Sequence, residues 1–63
     1  MNTYILKNFR TNSIIRCTTR RSRADAIKVI EADLGRAIDT AKYKVEKVDQ
    51  AKMREELMGV TRI

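Results

Sequence analysis

The residues of this sequence with the most distinctive chemistry are basic side chains concentrated near its N-terminus. Residues 1–24 carry six basic groups and no acidic group, whereas residues 25–63 carry eight of each, so the formal net charge of +6 lies in the first 24 residues. This asymmetry indicates a polyanionic partner. Five of the six cations are arginines, whose planar guanidinium group suits phosphates and base edges. The candidate nucleic-acid-binding residues are Lys7, Arg10, Arg16, Arg20, Arg21 and Arg23.

The same basic residues allow two other interpretations. One is a solvated face that keeps a small protein soluble, and the other is a surface that docks on an acidic protein. Serine, threonine and asparagine side chains are interleaved with the arginines and can donate hydrogen bonds to phosphate oxygens. The sequence therefore favours contacts with DNA or RNA that are mainly to the phosphate backbone. Tyr4 and Phe9 carry rings that can stack on bases, but both are expected in the core.

The motifs of common enzymes are absent. The sequence has no histidine, no P-loop, no dinucleotide-binding glycine pattern and no paired cysteines at metal-binding spacing. Four carboxylates between Asp25 and Asp39 have the spacing of ordinary surface charge. We therefore expect no enzymatic activity, no cofactor and no metal site. The single cysteine, Cys17, is expected to be a small core residue, because free cysteines are usually buried.

The length of 63 residues predicts one domain spanning residues 1–63. No apolar run is long enough to span a membrane, and the N-terminal residues lack the arrangement of a signal peptide. These features predict a soluble cytoplasmic protein without membrane association. A chain this short is marginally stable alone, which favours self-association, for example as a homodimer.

The segment Ser22 to Gly35 has the strongest local signals in the chain. Ser22 can cap the N-terminus of a helix, Asp25 lies in the first turn, and Gly35 follows the last apolar residue. Apolar residues between them recur at helical spacing. The sequence predicts an amphipathic helix over this segment.

Two segments before this helix are typical of β-strands. Residues 3–9 are rich in aromatic and aliphatic side chains, and residues 14–19 are β-branched and alternating. Four residues with good turn formers separate them, which predicts an antiparallel hairpin. Within the second strand, Ile15 and Cys17 are expected to face the core, with Arg16 on the opposite side. The arginines after the hairpin would then lie beside the N-terminus of the helix, where free N–H groups favour phosphate.

The chain after Gly35 allows more than one interpretation. Residues 43–48 are predicted to form a third strand, although residues 38–48 also fit a second helix. That helix would create a helix-turn-helix, but its acidic residues would make a poor surface for the DNA groove. Residues 50–58 consist of good helix formers and end at Gly59, which predicts a short C-terminal helix. Residues 60–63 are either a loose tail or a short added strand.

The resulting fold class is α+β, with a three-stranded antiparallel sheet packed against one amphipathic helix in the order ββαβ, followed by a short C-terminal helix. In outline, this order of elements resembles that of small phage-encoded inhibitors that dock on a host enzyme. Those inhibitors often lean acidic, so a basic version would bind an acidic surface of its target, and this is the alternative to nucleic-acid binding. The predicted core consists of Ile5, Leu6, Phe9, Ile15, Cys17, Ile27, Ile30, Leu34, Tyr43 and Val45.

Overall fold

The computed structural model of the protein describes residues 1–63 and has an α+β fold with one helix and one sheet. The sheet has four strands in the order β3-β1-β2-β4, and this confirms the predicted fold class in its coarse form. The elements in chain order are β1 (Asn2–Asn8), β2 (Ser13–Arg20), α1 (Arg23–Leu34), β3 (Tyr43–Val48) and β4 (Thr61–Arg62).

The predicted hairpin forms from β1 and β2, which pair in antiparallel orientation. The side chain of Asn8 organises the turn, since its Oδ1 accepts hydrogen bonds from the N–H of Arg10 at 2.9 Å and of Thr11 at 3.3 Å. Asn12 takes a positive φ of 61°, which asparagine tolerates better than most residues do. The polar connector therefore fixes the turn through the residue types from which it was predicted.

The predicted helix is confirmed at both ends. The Oγ of Ser22 accepts a hydrogen bond from the N–H of Asp25 at 3.2 Å, as an N-cap does. At the other end, Gly35 has a left-handed φ of 74° and its N–H donates to the carbonyl of Glu31 at 2.9 Å. No helix of this protein combines the length and the apolar content that a crossing of the bilayer requires.

Substitution Gly35→Ala is expected to lower the free energy of unfolding by about 1 kcal/mol, because an L-residue is strained in the left-handed region. A Cβ added at Gly35 would meet no atom within 4 Å, so the cost comes from the backbone alone. Urea denaturation would measure it. Gly35→Asn is the matched control and should lose less, since asparagine tolerates this conformation. Equal losses for both variants would contradict the argument.

The third predicted strand is also confirmed. β3 pairs with β1 in antiparallel orientation, with Leu6 opposite Val45. The rival prediction of a second helix over residues 38–48 is wrong, and the helix-turn-helix that depended on it is excluded as well. Pairing along β1 places Tyr43 and Val45 on the side that packs against α1, as the alternation of the strand predicted.

The predicted C-terminal helix is wrong. Residues 50–59 form successive turns, in which the backbone bonds from Met53 to Asp49 and from Leu57 to Met53 are not continued into a regular helix. β4 follows and pairs in parallel with β2, so the sheet is four-stranded and mixed instead of three-stranded and antiparallel. Helix propensity is a weak preference for so short a segment, because nucleating a helix is costly and tertiary contacts decide the outcome.

The main core lies between the sheet and α1. It is a cluster of buried residues from β1, β3 and α1, joined by partly buried neighbours that include Ile63 at the chain's end. Thr18 is fully buried beside this core, and its hydroxyl donates to the carbonyl of Ile63 at 2.8 Å. The buried members of the cluster are Tyr4, Leu6, Ala26, Ile30 and Val45.

The other face of the sheet is also covered, and this changes the predicted inner faces. Ile5 and Cys17 lie opposite each other in β1 and β2, and both are 1% exposed, yet neither belongs to the cluster against α1. The hydroxyl of Thr3, on their face, donates to Oε1 of Gln50 at 3.1 Å. The C-terminal segment therefore contacts this second face through Gln50. The sequence placed α1 on the Cys17 face, which is wrong, because α1 packs on the face of Tyr4 and Leu6.

Half of the ten residues in the predicted core are not fully buried. Ile27, Leu34 and Tyr43 are partly buried against the cluster, whereas Phe9 and Ile15 lie outside it. Phe9 lies at the start of the hairpin turn and is 42% exposed. Ile15 is half-buried, because the register between β1 and β2 shifts by one residue: Leu6 pairs with Arg16, but Lys7 pairs with Ile14. This irregularity leaves Ile15 without a directly opposed partner, as in a β-bulge.

Candidate nucleic-acid interface

The six predicted binding residues do not form one continuous surface. Three of them, Arg20, Arg21 and Arg23, lie together where β2 ends and α1 begins. Arg10 lies in the hairpin turn at the other end of β2, which is about 23 Å away at the rise of an extended strand. The two ends of the hairpin therefore carry separate positive charges.

Arg16 faces the helix and is already neutralised. Its Nε donates to Oδ2 of Asp33 on α1 at 2.8 Å, and its Nη1 donates to the carbonyl of Ile15 at 2.9 Å. The sequence predicted that Arg16 and Cys17 project from opposite faces of the sheet, and they do. However, α1 packs on the face of Arg16. A phosphate at this position would have to compete with the carboxylate of Asp33.

Lys7 lies on the opposite face of the sheet from Arg16. In β1 it has Ile14 of β2 on one side and Lys44 of β3 on the other. Its positive charge contributes to lowering the pKa of Glu46, one strand away. Lys7 is therefore separated by the sheet from the arginines that face α1, and only a ligand that wraps around the sheet would contact both.

The remaining three arginines define the basic end, which we take as Arg20, Arg21 and Arg23. The Nη1 of Arg20 donates to the carbonyl of Thr19 at 2.6 Å, and the Nη1 of Arg23 donates to the carbonyl of Val45. These bonds use one donor of each guanidinium group, which has five. Arg21 is exposed and its side chain makes no hydrogen bond within the protein. Most donors of the basic end therefore remain free for an anion.

The N-terminus of α1 adds backbone donors at the same place. Ser22 caps the helix, and its carbonyl accepts from the N–H of Ala26 at 3.0 Å while its Oγ accepts from that of Asp25. The N–H groups of Arg23 and Ala24, which precede them, have no carbonyl within the helix to which to donate. Their partial positive charge favours an anion beside the basic end.

Two cations that the sequence analysis did not select lie near the basic end. Lys47 on β3 lies opposite Tyr4 of β1. Tyr4 is two residues from Asn2, which pairs with Arg20. The Nη1 of Arg62 donates to Oγ1 of Thr19 at 3.4 Å, next to Arg20. Alternation within residues 43–48 indicates that Lys47 shares a face with Tyr43 and Val45, but only the order of the strands brings Lys47 close to the basic end. Nothing in the sequence signals the position of Arg62.

Glu46 is the one ionisable group with a clear shift, and it faces the same side of the sheet as Lys7. A hydrogen bond from Lys44, whose Nζ lies 2.7 Å from Oε1, is the largest cause of its lowered pKa. The charges of Lys44, Lys7 and Arg23 add to the effect, and desolvation opposes it.

We expect the carboxyl group of Glu46 to titrate below its usual value of 4.5. Because folding lowers this pKa, the ionised carboxylate stabilises the fold at pH values above the pKa of the unfolded state. This contribution is lost as the pH falls through the pKa of the folded state. The measurement is an NMR titration of the side-chain carbonyl. Lys44→Gln should move the pKa back toward 4.5, whereas Lys52→Gln, on the C-terminal segment, should leave it unchanged. An unchanged pKa in Lys44→Gln would contradict the assigned cause.

No three histidine, cysteine, aspartate or glutamate side chains are grouped so that they would hold a metal ion. Comparisons with protein-family models, with curated proteins and with solved structures find no significant match to this chain.

Proposed function

We propose that this protein is a small cytoplasmic nucleic-acid-binding domain that contacts the phosphate backbone through its basic end. The observation that supports the proposal is the clustering of Arg20, Arg21 and Arg23 around the N-terminus of α1. Guanidinium groups with free donors and helical N–H groups are both suited to phosphate oxygens. Lys47 extends this surface on the face of the sheet that carries α1, and Arg62 adds a cation beside Thr19 on the opposite face.

The contribution of the other predicted residues follows from their surroundings. Arg16 is paired with Asp33 and contributes little charge, and Lys7 lies on the other face of the sheet. Arg10 is exposed in the hairpin turn, about 23 Å from the basic end, so it contacts only a nucleic acid that extends along the hairpin. The minimal interface is therefore the basic end.

The test is the affinity for mixed-sequence duplex DNA and for single-stranded RNA across a salt series. Each phosphate contact contributes about −0.9 to the slope of log affinity against log salt on duplex DNA. Three to five contacts at the basic end predict a slope between about −2.5 and −4.5. A similar affinity for unrelated sequences would agree with backbone contacts, which carry no sequence information.

Two results would contradict the proposal. One is a slope near zero, because binding without release of counterions does not use the arginines as phosphate contacts. The other is the absence of binding near physiological salt, which would leave the alternative function. In that alternative the same arginines dock on an acidic surface of a protein, as an inhibitor of a host enzyme would.

A further inference from the structure

One long edge of the sheet has no neighbour. β3 is the outermost strand on its side and pairs only with β1. The carbonyl of Lys42 accepts a hydrogen bond from the N–H of Phe9 at the start of this pairing. Since alternate residues of an antiparallel strand bond to the same neighbour, the backbone groups of Tyr43, Val45 and Lys47 point away from β1. Such an edge presents N–H and C=O groups ready to pair with an added strand.

Most of these outward groups are free. The N–H of Tyr43 donates to the carbonyl of Asp39 at 2.9 Å, and the carbonyl of Val45 accepts from Arg23. The N–H of Val45 and both backbone groups of Lys47 have no strand beside them. An extended peptide can therefore pair with Lys47 first, and it can extend to Val45 once the Arg23 side chain swings away.

A groove of about 780 Å³ lies next to this edge, between β3 and α1. Its apolar lining comes from Ile27 on α1, Ile38 in the following loop, and Tyr43 and Val45 on β3. Side chains of directly opposed residues lie on the same face of a sheet. A residue opposite Val45 would therefore place its side chain in the groove, against these apolar groups.

The charges around the groove favour an acidic occupant. Lys44 is paired with Glu46 at 2.7 Å, and Oε2 of Glu31 accepts from the N–H of Ile38 at 2.9 Å. Lys47 makes no ion pair, and it lies on the same face as Val45, so a carboxylate opposite Lys47 would be paired at the end of the groove. The net charge of +6 attracts acidic chains in general.

We propose that the free edge of β3 binds an extended acidic peptide segment of a partner protein, which adds a fifth strand to the sheet. The backbone of the segment pairs with Val45 and Lys47, one apolar side chain lies in the groove beside Ile27 and Ile38, and a carboxylate two residues away pairs with Lys47. This is strand addition at a sheet edge, in which main-chain hydrogen bonds give affinity and alternate side chains give specificity. It does not rest on the proposed nucleic-acid binding, although the two sites share Arg23, whose side chain bonds to the Val45 carbonyl, and Lys47.

A second copy of this chain fits the edge less well than an acidic segment does. Two copies paired through β3 would bring together two domains of charge +6 each. Symmetric pairing centred on Val45 would also place Lys47 opposite Tyr43 of the other copy, with no carboxylate opposite Lys47. The uncompensated cation at the end of the groove therefore favours a partner of opposite charge.

The experiment is an NMR titration of the full chain with the capped peptide Thr-Glu-Thr-Val-Thr-Leu-Thr, which is designed for antiparallel pairing. Its glutamate would lie opposite Lys47, its valine opposite Val45 and its leucine opposite Tyr43. We expect saturable shift changes confined to β3, α1 and the loop between them, with a Kd of about 0.1–1 mM. Lys47→Glu should raise the Kd at least about fivefold, while the same charge change in Lys52→Glu should have at most half that effect.

A pair of methylated peptides distinguishes strand addition from other binding. Methylating the backbone nitrogens of the glutamate and the valine removes donors that face β3 and should abolish binding. Methylating two threonine nitrogens, which face solvent, should preserve it. Equal affinities of the two peptides would overturn the proposal, and so would the absence of saturation up to about 5 mM. Shift changes at Arg20 and Arg21 alone, or a dimer in sedimentation with protected β3 amides, would also overturn it.

Discussion

Replacing Arg20 and Arg21 together by alanine is expected to weaken nucleic-acid binding by roughly 10- to 100-fold, because two charge-assisted contacts to phosphates are lost. The slope of log affinity against log salt should become less steep by about 2. The melting temperature should hardly change. Arg21 makes no hydrogen bond within the protein, and Arg20 bonds only to the carbonyl of the residue before it. Fluorescence anisotropy over a salt series and thermal unfolding measure the two effects.

The matched control is Arg36→Ala with Lys42→Ala, which removes the same charge from the opposite end of the domain. Arg36 follows the C-cap of α1, and Lys42 precedes β3, so both lie far from the basic end. Both side chains are exposed. We expect this variant to bind with an affinity within about threefold of the unmodified protein. Equal losses in both variants would mean that net charge alone drives binding.

Substitution Ile30→Ala is expected to lower the free energy of unfolding by about 2–5 kcal/mol, because it removes a fully buried side chain and leaves a cavity. Ile30 is 0% exposed and lies at the centre of the cluster between α1 and the sheet. A domain of this size has a total stability of about 3–9 kcal/mol, so the expected loss is a large fraction of it. Urea denaturation followed by circular dichroism measures the loss.

Two further variants make this prediction testable even if Ile30→Ala does not fold. Ile30→Val removes one methylene and should cost about 0.5–1.5 kcal/mol. Met58→Ala serves as the exposed control, since Met58 is 76% exposed, and it should change the stability by less than about 0.5 kcal/mol. A cost below about 0.5 kcal/mol for Ile30→Val, together with one below about 1 kcal/mol for Ile30→Ala, would show that α1 does not pack as described.

The elements with local chemical signals could be predicted from the sequence. Ser22 and Gly35 fix the ends of α1 through a side-chain cap and a left-handed residue, and both signals depend only on neighbouring residues. The hairpin follows in the same way from the turn around Asn12. For β3, the apolar helical spacing of residues 38–48 is not continued by Lys52 and Glu55, and this favoured a strand over a helix.

The C-terminal part was predicted only in outline, because its structure depends on contacts with distant residues. A short added strand within residues 60–63 was one of the two alternatives, and β4 confirms it. Residues 50–58 have good helix propensity, but their place is set by Thr3 and by the second face of the sheet. β4 exists because β2 offers a free edge next to Cys17, where the N–H of Ile63 donates to the Cys17 carbonyl at 2.9 Å. No local signal encodes this parallel pairing.

The candidate site was only partly predictable for the same reason. The charge asymmetry selected the stretch of chain that holds the basic end, but strand alternation alone could not show which face α1 would cover. Once α1 packs on the side of Arg16, that arginine meets Asp33 and is withdrawn from the surface available to a ligand. Conversely, the strand order brings Lys47 toward the basic end. The charge pattern could not indicate this residue, because basic and acidic groups balance in residues 25–63.

The covered second face gives the chain an internal reporter of local opening. Cys17 is the only cysteine, and it is 1% exposed, on the face of the sheet opposite α1. A thiol reagent can reach it only when the structure around Cys17 opens, and such partial opening costs less free energy than global unfolding. The rate of thiol labelling would therefore report opening on this face of the sheet, whereas hydrogen exchange of the amide of Ile30 would report opening of the core under α1.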